Sequence, residues 1–172
     1  MLEALPLKGN YTLIILLEAP SRIRISDRGW FSLEKGYYAY TGSALGNGAV
    51  GLKQRVARHL RKRKSKHWHI DYLLASHKAR ITAVIACSAS TSKECQISRN
   101  IQSIDEASIP IDGFGASDCR QGCRSHLVYC GEGNASGRIA AVHRRLAKKA
   151  NVVRLVLDSR QKQTGGKSAS NS

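Results

Sequence analysis

Arg55 and His59 stand four positions apart in a run whose apolar residues, Leu52, Val56 and Leu60, recur every four. That period is helical, and side chains at i and i+4 project from one side. A guanidinium and an imidazole so placed can reach one small target. The planar fork of arginine suits a phosphate, because it bonds two oxygens at once. The same pair could equally belong to a solvated basic face, since Lys53, Arg58, Arg61, Lys62 and Arg63 share the segment. Glu94 offers complementary chemistry. Thr91-Ser92-Lys93-Glu94 has the spacing of a capping box, which would turn the carboxylate back onto its own helix. Yet Glu94, Ile97, Ile101 and Ile104 also fall on one stripe, directed to the core side. A carboxylate there needs a cation or an arginine as partner. A hard ion such as Mg²⁺ would let it share a site with phosphate oxygens. Tyr11 and Tyr40 end the set: if their strands pair, both hydroxyls can approach the Arg55 face, and otherwise they are core aromatics.

Charge points the same way. The chain of 172 residues carries 28 Lys plus Arg against 12 Asp plus Glu, a net charge of +16, which attracts polyanions. Hydrophobic residues at 42% suffice for one core. No run of 18 apolar residues occurs, so a membrane-spanning helix is not expected. Met1 to Pro6 lacks the basic start and apolar stretch of a signal peptide, and five cysteines make an odd count for a disulfide framework. Both features suggest the reducing cytoplasm. Cys119 and Cys123 lie near His126, with Cys87, Cys95, His67 and His69 elsewhere. Their three-residue gap is a poor zinc-knuckle spacing, so the expectation is buried small hydrophobes without structural zinc. Gly46-x-Gly48-x-x-Gly51 matches a dinucleotide fingerprint, but Asp71, 20 residues on, falls in a helical pattern and not at the end of a second parallel strand.

These residues need elements to position them. Tyr11 to Leu17 and Gly36 to Gly42 are strand-forming runs, Arg22 to Ile25 alternates like an edge strand, and Ile81 to Cys87 is a further apolar strand. Helical patterns cover Leu52 to Leu60, the segment beginning at His67, Ser92 to Ile104, and Arg138 to Lys149. Ser108 to Gly115 reads as loop, His126 to Tyr129 as a short strand, and Val152 to Leu157 as a last strand. Short connections between the early strands favour antiparallel pairing. Residues 1–158 then form one domain, with an inserted hairpin about 20–35 and a C-terminal helix about 138–149. Residues 159–172 are polar and glycine/serine-rich, a composition expected to be disordered.

In this order, Gly9-Asn10-Tyr11, Tyr40-Thr41-Gly42, Arg55 with His59, and Glu94 resemble the GIY-YIG nuclease pattern. The segments from Gly36 to Ala44, Arg58 to Leu60, His67-Trp68-His69-Ile70-Asp71-Tyr72-Leu73 and Gly113-Phe114-Gly115-Ala116-Ser117-Asp118-Cys119 resemble a little-characterised branch allied to it, sometimes fused to endonuclease III-like repair enzymes. Asn10 stands where isoleucine is usual, and 28 residues separate Tyr11 from Tyr40 where about ten are usual. The resemblance implies a three-stranded antiparallel sheet flanked by helices. It implies metal-assisted hydrolysis of phosphodiesters, with Tyr11 as general base or relay, Tyr40 placing water or phosphate, Arg55 holding the phosphate, His59 assisting, and Glu94 ligating Mg²⁺ or Mn²⁺. A free tyrosine, with a pKa near ~10, is a poor base at neutral pH. A guanidinium and a cation beside it would lower that value.

The expectation is therefore an α+β domain with a small, largely antiparallel sheet, acting as a metal-dependent endonuclease on nucleic acid, DNA rather than RNA, in repair or processing. Gly42, Ser43, Lys53, Arg58, Arg61, Lys62, Arg63, His67 and His69 would contact the nucleic acid. Asp71, Ser117, Asp118 and His126 belong to the branch motifs without an assigned role. The alternative is a basic module of the same fold that binds nucleic acid without cutting it.

Overall fold

The computed structural model describes residues 1–147 and 151–157. Among these residues five antiparallel strands form the main sheet. They are β1 (Gly9–Leu17), β4 (Gly36–Ala44), β5 (Ala79–Ser88), β6 (Leu127–Tyr129) and β7 (Val152–Val156), in the order β6-β4-β1-β5-β7. The expected mixed class and antiparallel sheet are observed, and β6 and β7 widen the sheet beyond the three strands β4-β1-β5. Tyr11–Leu17 reads as a continuous apolar run because β1 is the central strand and is buried on both faces. Leu13, Ile15 and Leu17 enter one core, and Ile14 enters the other.

The first core is covered by α1 (Leu52–Leu60) and α2 (His69–Leu74), through Leu52, Val56, Ile70 and Leu73. The second is covered by α3 (Glu94–Gln102) and α4 (Ser136–Ala147), through Ile97, Ile101, Ile139 and Val142. Under this second face His143 is fully buried, and its Nε2 lies 2.8 Å from the Thr12 hydroxyl. The hairpin expected about 20–35 is present as β2 (Ser21–Ile25) and β3 (Gly29–Leu33), which among the described residues pair only with each other. Its Ile23, Ile25 and Leu33 join the first core, so the long insertion folds aside and leaves β1 free to pair with β4 along its length. Positions 148–149 of the expected C-terminal helix, and the tail 159–172, lie outside the described residues. Among the described residues no helix is long and apolar enough to cross a membrane.

The turn from α1 into α2 is fastened by one buried carboxylate. The Asp71 side chain is fully inaccessible. It accepts two hydrogen bonds from the Arg58 guanidinium, at 3.0 and 2.9 Å, and two more from the amides of His67 and Trp68. Burial alone would raise its pKa, but these donors together hold it below the ordinary carboxylate value. Removing one partner of such a pair leaves an uncompensated buried charge. Asp71→Ala is expected to destabilise the domain by about 3–5 kcal/mol, read as a lower midpoint in urea denaturation.

Candidate active site

A cleft of about 210 Å³ opens at one end of the sheet. Its walls include Tyr11, Tyr40, Arg55, Glu94, Asp118 and His126. These come from β1, β4, α1, the first residue of α3 and the irregular stretch 103–126 that precedes β6. The register explains the meeting. Tyr11 lies opposite Gly42, and Tyr40 lies opposite Leu13, so both tyrosines share the face covered by α1. Gly42 makes room for the phenol, since a Cβ at that position would stand 2.7 Å from the Tyr11 oxygen.

His59 occupies the buried stripe of α1 together with Leu52 and Val56, one turn beyond Val56. Its Nε2 lies 2.9 Å from the Tyr11 hydroxyl, and its Nδ1 has no partner among the described residues. Burial, reinforced by nearby Lys64, depresses its pKa to about 3, so the ring is neutral near pH 7. A buried N–H without an acceptor costs more than a bare lone pair, which favours the tautomer with the proton on Nε2. That proton is then donated to the Tyr11 oxygen, leaving the phenol's own hydrogen to point elsewhere. The positive charge of Arg55 acts on the same oxygen.

The tyrosines titrate in the direction opposite to expectation. Arg55 does favour the Tyr11 phenolate, but burial acts more strongly and raises the pKa well above its ordinary value, as Tyr40 does in smaller measure. Tyr40 is likewise raised, chiefly by burial and then by Glu94. Both phenols are therefore protonated in the unliganded protein.

Glu94 does not form the capping box that its spacing allows, for α3 begins without a side-chain cap. The carboxylate instead accepts from the Ser43 hydroxyl at 3.1 Å and faces the cleft. The start of α3 is held by Asn10, which is fully buried. Its Oδ1 accepts from the Lys93 amide at 2.8 Å and its Nδ2 donates to the Thr91 carbonyl at 3.3 Å. Nothing in the spacing of the tyrosines or glutamate marks Asn10 for this task.

The other expected residues divide. Gly42, Ser43, Asp118 and His126 line the cleft, as does Trp68, which the motif reading left without a role. Arg55 and Arg58 lie over the Trp68 ring, at 4.9 and 4.1 Å from its centre. Arg58 and Asp71 serve the fastening described above. His69 Nδ1 accepts from the Gly115 amide at 3.0 Å and so anchors the glycine-rich loop. Lys53 pairs with Glu3 at 2.9 Å, away from the cleft. Arg61, Lys62, Arg63 and His67 are exposed beyond the end of α1, and Ser117 is exposed beside Asp118.

A second cluster lies behind one wall. Cys95, Cys119, Cys123 and His126 place one ligand atom each within 4.8 Å of one another, a set that could hold a metal ion. The fold thus groups four residues that the sequence reading keeps separate, the cysteines as buried small hydrophobes. The gap between Cys119 and Cys123 carries little signal, whereas the fold brings Cys95 to them from the first turn of α3.

Two buried neutral histidines give the domain a stability that depends on pH. His59 is depressed to about 3 and His143 to about 4, both by burial, against roughly 6.5 in the unfolded chain. Between those limits the unfolded state binds more protons, so their contribution is complete above about pH 6.5 and is lost as pH falls. The melting temperature is expected to drop on acidification from pH 7 to pH 4, and His59→Gln to flatten that dependence. Tyr11→Phe should leave the His59 ring without its partner and cost about 1–3 kcal/mol by urea denaturation.

Comparison with known proteins corrects one reading. Residues 10–148 match the model of a family described as "Domain of unknown function DUF123". No curated protein and no solved structure matches the chain. The match is to a family distinct from the GIY-YIG nucleases, so the assignment suggested by the order of short motifs is withdrawn. Those motifs are a handful of residue types, while the match runs from β1 to the end of α4. The chain belongs to the DUF123 family.

Proposed function

We propose that the cleft hydrolyses phosphodiester bonds in nucleic acid with the help of a divalent cation. One observation carries the reading: Arg55, Glu94 and the His59-bound hydroxyl of Tyr11 face a single cleft on a chain with a net charge of +16. The surrounding positive field raises the local concentration of a polyanion, and Arg55 offers two parallel donors to its phosphate.

The roles follow from chemistry. Arg55 holds the non-bridging oxygens and stabilises the charge that builds as water adds to phosphorus. Tyr11 is the group placed to accept a proton from that water, once in its phenolate form. Donation from His59 Nε2 and the positive charge of Arg55 oppose the effect of burial on that form. Tyr40, at the same wall, positions the water or the phosphate. Glu94 and Asp118 both line the cleft, and their carboxylates are the donor type that a hard cation such as Mg²⁺ or Mn²⁺ takes alongside phosphate oxygens. Such an ion, when bound, supplies Lewis-acid stabilisation of the leaving oxygen.

A second reading also has an observation behind it. Burial keeps both phenols protonated, and Arg61, Lys62 and Arg63 are exposed at the end of α1, which suits a module that binds nucleic acid without cutting it. Incubation of linear and branched DNA and RNA with Mg²⁺ or Mn²⁺, with EDTA as control, separates the two. Cleavage that EDTA abolishes is the expected result, while shifted but uncut substrates would favour the binding module. Glu94→Ala is expected to abolish metal-dependent cleavage and leave binding nearly intact. Arg55→Ala should lower the cleavage rate roughly 10²–10³-fold. Full activity in Glu94→Ala would refute its role as ligand.

A further inference from the structure

We infer that Cys95, Cys119, Cys123 and His126 form a tetrahedral zinc site that fastens the 103–126 loop to α3 and fixes one wall of the cleft. The inference does not depend on what reaction the cleft performs. Three cysteines and one histidine are one of the closed ligand sets of structural zinc. The spacing of the donors matches the ion. Cys95 Sγ lies 3.4 Å from Cys119 Sγ and 3.7 Å from His126 Nε2, and all four donor atoms fall within 4.8 Å. With a zinc–sulfur bond of about 2.3 Å, the edge of a regular tetrahedron is roughly 3.8 Å. A disulfide would require about 2.05 Å, so Cys95 and Cys119 are not joined.

The surroundings suit a metal-bound thiolate cluster. Zinc with three thiolates and one imidazole carries a net charge of −1. The Arg99 guanidinium donates to the Gln121 carbonyl within the Cys119–Cys123 turn, which places a positive charge beside the cluster. The His126 amide donates to the Phe114 carbonyl at 2.8 Å, which fixes the backbone that carries this ligand. The loop also needs a fastening. Residues 103–126 form no helix or strand, and they must nevertheless hold Phe114 fully buried and Asp118 at the cleft. A long irregular segment of this kind gains much of its order from a metal clip.

The arrangement ties the cluster to the cleft through the chain itself. Glu94 directly precedes Cys95, Asp118 directly precedes Cys119, and His126 belongs to both cluster and wall. An ion at the cluster therefore sets the positions of two cleft carboxylates without touching them. Cys87 and Cys130 are buried elsewhere, Cys87 on β5 and Cys130 in the second core, and neither joins the cluster.

The test is elemental analysis of the full chain, expressed in zinc-supplemented medium and purified without chelator. One zinc per chain is expected. Exchange for cobalt(II) should give the thiolate charge-transfer and intense visible bands of a tetrahedral site. Cys119→Ser and Cys123→Ser, at partly exposed positions, should each weaken zinc retention about tenfold or more against a competing chelator. Cys87→Ser and Glu94→Ala should retain the ion, which separates this site from any cation held in the cleft. Reduced wild-type protein that neither contains nor takes up zinc would overturn the inference. So would a Cys95–Cys119 disulfide in the freshly isolated chain, or zinc retention unchanged in both Cys119→Ser and Cys123→Ser.

Discussion

The antiparallel register between β1 and β4 is the constraint from which the cleft is built. It sets Tyr11 opposite Gly42 and Asn10 opposite Ser43. Because neighbours along a strand point to opposite faces, these two adjacent pairs serve opposite sides of the sheet. The Tyr11–Gly42 pair opens space for a phenol beneath α1. The Asn10–Ser43 pair serves α3, Asn10 by holding the backbone that enters the helix and Ser43 by bonding the Glu94 carboxylate. A slip of one residue would exchange the faces and scatter the site. The apolar character of β1 on both faces keeps that register in place, since any slip would expose or crowd one of two cores.

Burial sets the protonation states inside the cleft more strongly than the chain's positive charge does. His59 is held neutral, and the phenols of Tyr11 and Tyr40 are held protonated despite a guanidinium at the same wall. In the unliganded site the two neutral phenols share the cleft with Arg55 and with the carboxylates of Glu94 and Asp118. A bound anion and cation would change the field felt by every one of these groups.

Much of this was legible in the residues. Helical spacing placed Arg55 and His59 on one side of α1, and the Glu94–Ile97–Ile101 stripe turned Glu94 inward, because both are local periodicities of a regular helix. The α+β class and the hairpin followed from strand-forming runs and their short connections. Three things were not legible. Capping-box spacing is local, and it lost to a tertiary contact from Ser43 and Asn10 that no window around Glu94 contains. The Cys95–His126 cluster joins residues 31 positions apart, so the fold alone reveals it. The direction of the tyrosine shifts depends on how completely the rings are enclosed, which charge counting along the chain cannot supply. The order of short motifs also pointed to the wrong family, since a few shared residue types constrain much less than a match over the whole domain.

Trp68 has a consequence for recognition. A long cationic side chain in water samples many rotamers, and immobilising it on a ligand forfeits up to about 2 kcal/mol of entropy. Here the indole ring is in contact with both Arg55 and Arg58, and Arg58 is itself anchored by Asp71. Arg55 therefore waits against a rigid aromatic shelf at the rim of the cleft, with much of its freedom surrendered when the chain folds. An anion that reached the cleft would meet a cation already in place, and less ordering would remain to be done on contact.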